Sequence, residues 1–212
     1  MVTCLAAVIT GDIVASQKVD KTKYEQILKR LKDLFDDLSE RYQLRFDIFR
    51  GDEFQLVLPH PAHALRVATL IRLTLLAEQI DVRQSIAVGP IDQLRDNVKS
   101  STGDAFVRSG HQLEEMKSEL FRFSSSQPEL EWHLSVTILL FDAHLTSLTK
   151  TEALVLSCYL FHPDEPHKSL AERLDKSRVN TTKLLNASAY SVVDTYLAYT
   201  QALIEQHAGD NQ

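Results

Sequence analysis

Cysteine is nearly absent from this chain. Only Cys4 and Cys158 occur in 212 residues, both inside apolar runs and neither in a CxxC or a His/Cys cluster. A disulfide framework is therefore excluded, and a structural zinc site is not expected. Basic residues are also short: 23 Lys and Arg face 29 Asp and Glu, a net charge of −6. That balance excludes a protein that coats nucleic acid by charge alone. No apolar run reaches the ~18 residues of a membrane span. The first apolar run, Cys4 to Ile9, is too short for a secretory segment and has no basic leader. No membrane partner is expected, and a cytoplasmic location follows as the default. What is present, 44% hydrophobic and 25% charged residues, suits a soluble globular protein with ample material for a core.

The stretch Tyr42 to Leu58 organises the rest. Leu44, Phe46 and Ile48 alternate with Arg45 and Asp47, and Phe54, Leu56 and Leu58 continue the period of two. This predicts two strands joined by a short turn at Arg50-Gly51-Asp52, with Gly51 supplying backbone freedom. Before it, VTCLAAVI (Val2 to Ile9) reads as a buried strand ending at Thr10-Gly11-Asp12. Asp20 is placed to cap a helix whose apolar residues recur at threes and fours from Tyr24 to Tyr42. After the hairpin come a helix opened by Pro61, a strand from Val82 to Val88, a helix from about Gly103 to Lys117, and a last strand at Leu120 to Phe123.

Strand, helix, strand, strand, helix, strand is the split βαβ, ferredoxin-like order of an α+β domain. Ser124-Ser125-Ser126-Gln127-Pro128 reads as a linker. The expected organisation is a palm-like domain over 1–126 and a small all-α domain over 127–212. Within the second, Lys168 to Leu174 and Val179 to Ala187 form a helix-turn-helix. Lys168, Arg173, Lys176, Arg178 and Lys183 face only Glu172 and Asp175 there. Lys176, Arg178, Asn180, Thr181, Thr182 and Lys183 are the expected DNA contacts, being able to donate to phosphates and base edges. From Leu148 to the end acids outnumber bases, so specific binding is expected to need a homodimer.

In a split βαβ sheet the end of the first strand lies beside the tip of the central hairpin. Asp12, Asp52 and Glu53 would then converge, as a phosphoryl-transfer centre with one or two divalent cations requires. Solvated turn acids are the plainer alternative.

The motifs carry a resemblance. Thr10-Gly11-Asp12-Ile13-Val14 looks like the first metal motif of class III nucleotidyl cyclases, and Arg50-Gly51-Asp52-Glu53-Phe54 is similar to the signature hairpin of diguanylate cyclases. Gly103-Asp104-Ala105-Phe106 resembles the start of the class III helix that carries catalytic residues. With the helix-turn-helix tail, the whole pattern looks most like the SatD family. The resemblance implies Mg or Mn held by Asp12, Asp52 and Glu53, with Glu53 also a catalytic base at a 3′-hydroxyl. It implies a nucleotide whose phosphates face Ile13, Val14, Ala15 and Ser16, with Arg50 beside it. Val107 and His111 stand where cyclases carry a transition-state Asn and Arg, and Arg108 is one step away. The function expected is a nucleotide- and metal-binding transcriptional regulator with a degenerate cyclase-like domain. An active cyclase-type enzyme and a structural dimerisation protein are the alternatives.

Overall fold

The computed structural model describes residues 5–15, 20–49 and 52–209. Its centre is a mixed sheet of β1 (Leu5–Ile13), β2 (Arg45–Phe49), β3 (Glu53–Leu58), β4 (Val82–Pro90) and β5 (Phe121–Ser125), in the order β2-β3-β1-β4-β5. The first four strands pair antiparallel throughout, and β4 and β5 pair in parallel. That is the ferredoxin-like order with one added edge strand, as the element sequence implies. The chain is α+β.

Helix α1 (Lys21–Tyr42) starts where Asp20 accepts a hydrogen bond from the Lys23 N–H at 3.0 Å. It stops at Gln43, which takes the left-handed conformation at φ 53°. Its stripe of Ile27, Leu31, Leu34, Phe35 and Leu38 packs on the sheet with α2 (Ala64–Ala77), over Ala7, Ile9 and Ile13 of β1. The opposite face carries α3 (Asp104–Glu115), with Ala105 and Phe106 against Ala6, Val8 and Val57. Alternation along β1 therefore puts Thr10 and Asp12 on the α3 side. Thr10 hydrogen-bonds Ser109 of α3 at 2.8 Å and accepts from Gln55 at 3.1 Å.

Gly103 opens α3 at φ 144°, where a side chain would crowd the Pro90–Asp92 backbone. The glycine of Gly103-Asp104-Ala105-Phe106 thus has a backbone reason of its own.

The linker expectation needs correction. Ser124 and Ser125 are not linker but the buried end of β5, and Pro128 opens α4 (Pro128–Ser147). Serine-rich composition reads as loop, yet these short side chains fit under a covering helix. The helices past residue 126 also share one apolar core with the sheet, through Leu134, Ile138 and Phe141 of α4, Leu156 and Leu160 of α5 (Lys150–Phe161), and Val193, Leu197 and Ile204 of α8 (Tyr190–Gly209). No helix among the described residues is long and apolar enough to cross a membrane.

Asp142 of α4 lies in this shared core, where one oxygen accepts from the Leu120 N–H at 2.7 Å and the other has no partner. Burial pushes its carboxyl above the usual range, against the backbone N–H groups of Leu120 and Phe121 and the charge of Arg72, which pull it down. A raised folded-state value means the folded protein holds this proton more tightly than the unfolded chain. That contribution is full below about pH 4 and is lost as pH rises through the elevated value. Asp142→Asn should therefore unfold at higher denaturant than the parent at pH 7, the two converging near pH 4. Urea titrations at both pH values check it; equal midpoints at pH 7 would contradict it.

Candidate functional site

The sheet register brings the hairpin acids to the end of β1. Asp12 pairs with Glu53 of β3 on one side and with Arg83 of β4 on the other. Directly opposed residues share a face, so Glu53, Asp12 and Arg83 form a row across three strands on the α3 side. The Asp52 carbonyl accepts from the Ile13 N–H at 3.0 Å, which fixes the hairpin end against the end of β1. The Tyr24 hydroxyl of α1 is pushed up by burial and by the Asp52 carboxylate. The expected adjacency holds for the backbone, with Glu53 directly beside Asp12.

Asp12 is also already paired. Arg83 donates from Nε to Oδ1 at 2.9 Å and from Nη2 to Oδ2, and its Nη1 reaches the Met116 carbonyl at 3.2 Å. The bond to Asp12 raises the Arg83 guanidinium above its already high value. Among the described residues no group of three His, Cys, Asp or Glu side chains is placed to hold a metal ion. A divalent cation held by Asp12, Asp52 and Glu53 would have to draw Asp12 away from Arg83. The cation beside Asp12 is a planar fork that grips both carboxylate oxygens.

The phosphate-facing segment is changed for a similar reason. The Ile13 and Val14 N–H groups are spent on the carbonyls of Asp52 and Asp81, at 3.0 and 2.9 Å. Ile13 is buried in the core and Val14 is exposed. Ala15 is exposed in the left-handed conformation at φ 56°. Ser16 and Arg50 lie outside the described residues. On α3, Val107 and His111 point to solvent, while Arg108 is held by Asp104 at 2.5 Å and approaches Glu131 at 3.8 Å.

In the C-terminal helices, α6 (His167–Arg173) and α7 (Arg178–Ala187) are joined through Asp175, which is left-handed at φ 50°. The Ser177 hydroxyl accepts from the Asn180 N–H at 3.2 Å and caps α7. Leu170, Leu185 and Val155 of α5 make a small core between the three helices. Arg178, Asn180 and Lys183 are exposed and Lys176 is half-buried. One expected contact is withdrawn from solvent, Thr181 being fully buried, and the Thr182 hydroxyl of another bonds His167 Nδ1 at 3.1 Å. Helical spacing from Leu185 back to Thr181, one turn, was the available signal for the first.

Sequence reasoning missed Arg83. Its partner lies across a strand pair, and alternation in Val82 to Val88 identifies it only as a polar position. Arg72 was missed as well. It is a fully buried guanidinium on α2 that donates to Asp81 at 2.8 Å and to Thr146 of α4 at 3.2 Å.

No family model and no curated protein matches this chain. Solved structures with a similar arrangement are nucleotidyl cyclase domains. A bacterial light-regulated adenylyl cyclase aligns at TM-score 0.46 and 14% identity, over 57% of this chain and 76% of that one. The catalytic core of a rhodopsin-guanylyl cyclase in complex with ATPαS aligns at TM-score 0.47 and 16% identity, over 57% and 78%. The adenylyl cyclase CyaB from P. aeruginosa aligns at TM-score 0.44 and 12% identity, over 57% and 76%. The chain is similar to these at a distance.

Proposed function

We propose that this chain is a DNA-binding regulator built on a degenerate cyclase-like palm that senses a nucleotide and does not turn it over. The observation that carries the DNA reading is α7: a Ser177-capped start with Arg178, Asn180 and Lys183 exposed on one side and Leu185 and Thr181 buried on the other. A helix held in this way by two others is suited to enter a major groove by its first turns. Against catalysis stands the Arg83 clamp on Asp12, with Val107 and His111 where charged and polar transition-state groups would be needed. Mg or Mn belongs to this reading only as a partner that arrives with the nucleotide.

Fluorescence anisotropy with sheared genomic duplex tests it. Binding should weaken steeply with salt, and Arg178→Ala and Lys183→Ala should each flatten the log–log salt slope by about 1. No binding at about 50 mM salt, or variants indistinguishable from the parent, would overturn the DNA reading. Thermal shift with nucleoside triphosphates and Mn²⁺ tests the palm. A ligand at about 100 times its Kd adds roughly 2.7 kcal/mol, and Asp12→Ala should abolish the shift. Chromatography of the same mixtures should show no cyclic or linked product; a product would establish the enzyme reading instead.

A further inference from the structure

Helix α4 is apolar on both sides. One face, with Leu130, Leu134, Ile138, Phe141 and Leu145, fills the core. The other presents Trp132, Val136, Leu139, Leu140 and Ala143 to solvent, with Trp132 79% and Leu140 70% exposed. Spacings of three and four make these one continuous stripe. No charged side chain interrupts it: between Trp132 and Ala143 the only acid is Asp142, which is buried on the inner side.

Helix α8 runs antiparallel beside α4. Gln127 reaches the His207 carbonyl at one end, His144 the Ser188 carbonyl at the other, and Tyr196 bonds Thr137 between them. It extends the stripe with exposed Val192 and Tyr199. Full-sized aromatic side chains carry about 150–250 Å² each, so at these exposures the patch amounts to on the order of 700 Å². That exceeds the roughly 300–600 Å² of the largest patch on an ordinary monomer. It approaches the ~800 Å² that each partner gives to a standard interface.

The geometry points to a second copy of this chain as the occupant, in a two-fold dimer with α4 crossing α4 of its partner antiparallel. A two-fold contact needs one patch to complement itself, residue i meeting j and j meeting i. The stripe does so. With the axis midway between Trp132 and Ala143, each large indole lies over the other copy's small Ala143, and Val136 meets Leu139. Lack of charge removes the like-charge opposition that a two-fold axis imposes on a charged stripe. α8 flanks the pair and closes a four-helix contact. This inference uses none of the residues of the nucleotide and DNA readings.

The chain's only tryptophan reports on the contact. Sedimentation velocity on the full chain at about 50 µM should give a dimer, a concentration well above the low-micromolar Kd of a modest interface of this size. Trp132 emission should be that of a buried indole there and shift red on dilution. Leu140→Glu should give a monomer whose far-UV circular dichroism and cooperative unfolding match the parent, with red emission at all concentrations. Val136→Lys should do the same, which guards against a fault peculiar to one substitution. A parent that stays monomeric, or a dimer untouched by both variants, would overturn the assignment. So would capture of the parent by lipid vesicles in place of self-association.

Discussion

Asp81→Ala is expected to cost about 3 kcal/mol, by leaving the Arg72 guanidinium charged, buried and without its anion. Arg72 is fully buried, and its Nε has no acceptor even in the intact protein. Its remaining hydrogen-bond partner would be the Thr146 hydroxyl at 3.2 Å. Loss of one member of a buried pair typically costs 3–5 kcal/mol; the lower end applies because Asp81 is half-exposed and water recovers part of its own solvation. For a chain of this length that is a fall in Tm of about 6–12 °C. Arg72→Met tests the cause. Alone it replaces a buried charge by an apolar chain of similar reach, and should change stability by less than about 1.5 kcal/mol. Combined with Asp81→Ala it should recover most of the loss, a non-additivity that a cycle of four proteins measures directly. If Asp81→Ala shifts Tm by less than 2 °C, the pair is not holding the fold in this way. More than stability is at stake, because the Asp81 carbonyl receives the Val14 N–H. The same residue that neutralises Arg72 thus fixes where the chain leaves β1.

Gly11→Ala is expected to destabilise by about 1–3 kcal/mol and to disturb the Asp12–Arg83 pair. A Cβ at this position would lie 2.7 Å from the Arg83 carbonyl and would collide with the Phe54 ring. Neither neighbour can give way, since Phe54 is fully buried beneath α1 and the carbonyl belongs to the β1–β4 ladder. Alanine would recover at most ~1 kcal/mol of backbone entropy in an unstrained strand, which the collision outweighs. Urea denaturation checks the first part. The second predicts that β4 moves locally, so amide exchange should quicken at residues 82–85 while the far end of the sheet stays protected. An alanine variant as stable as the parent would show that the sheet opens here at little cost.

The sheet was legible because each of its elements announces itself locally. The apolar run of β1, the alternation around the hairpin and the threes and fours of α1 are one-dimensional signals, and the ferredoxin-like order follows from their succession. The nearness of Asp12 to the hairpin followed from that order too, and the Asp12–Glu53 register agrees with it. What the order could not supply was side-chain company. Whether Asp12 meets a metal or a guanidinium depends on which residue of β4 stands opposite, and strand alternation is silent about its neighbour's register. The serines ending β5 misled because composition reports average habitats. Thr181 misled because its hydroxyl suggested a contact where its position in the helix already demanded burial.

The continuity of the interior across residue 126 governs how this chain can be taken apart. A fragment ending at β5 would uncover Phe121, Phe123 and the outer side of α2 in one contiguous greasy strip, and would leave Arg72 without Thr146. Such a piece would clump before it reported anything about ligands. Dissection therefore has to proceed by point replacement on an intact backbone, and any natural variant that lost its tail would forfeit the palm along with it.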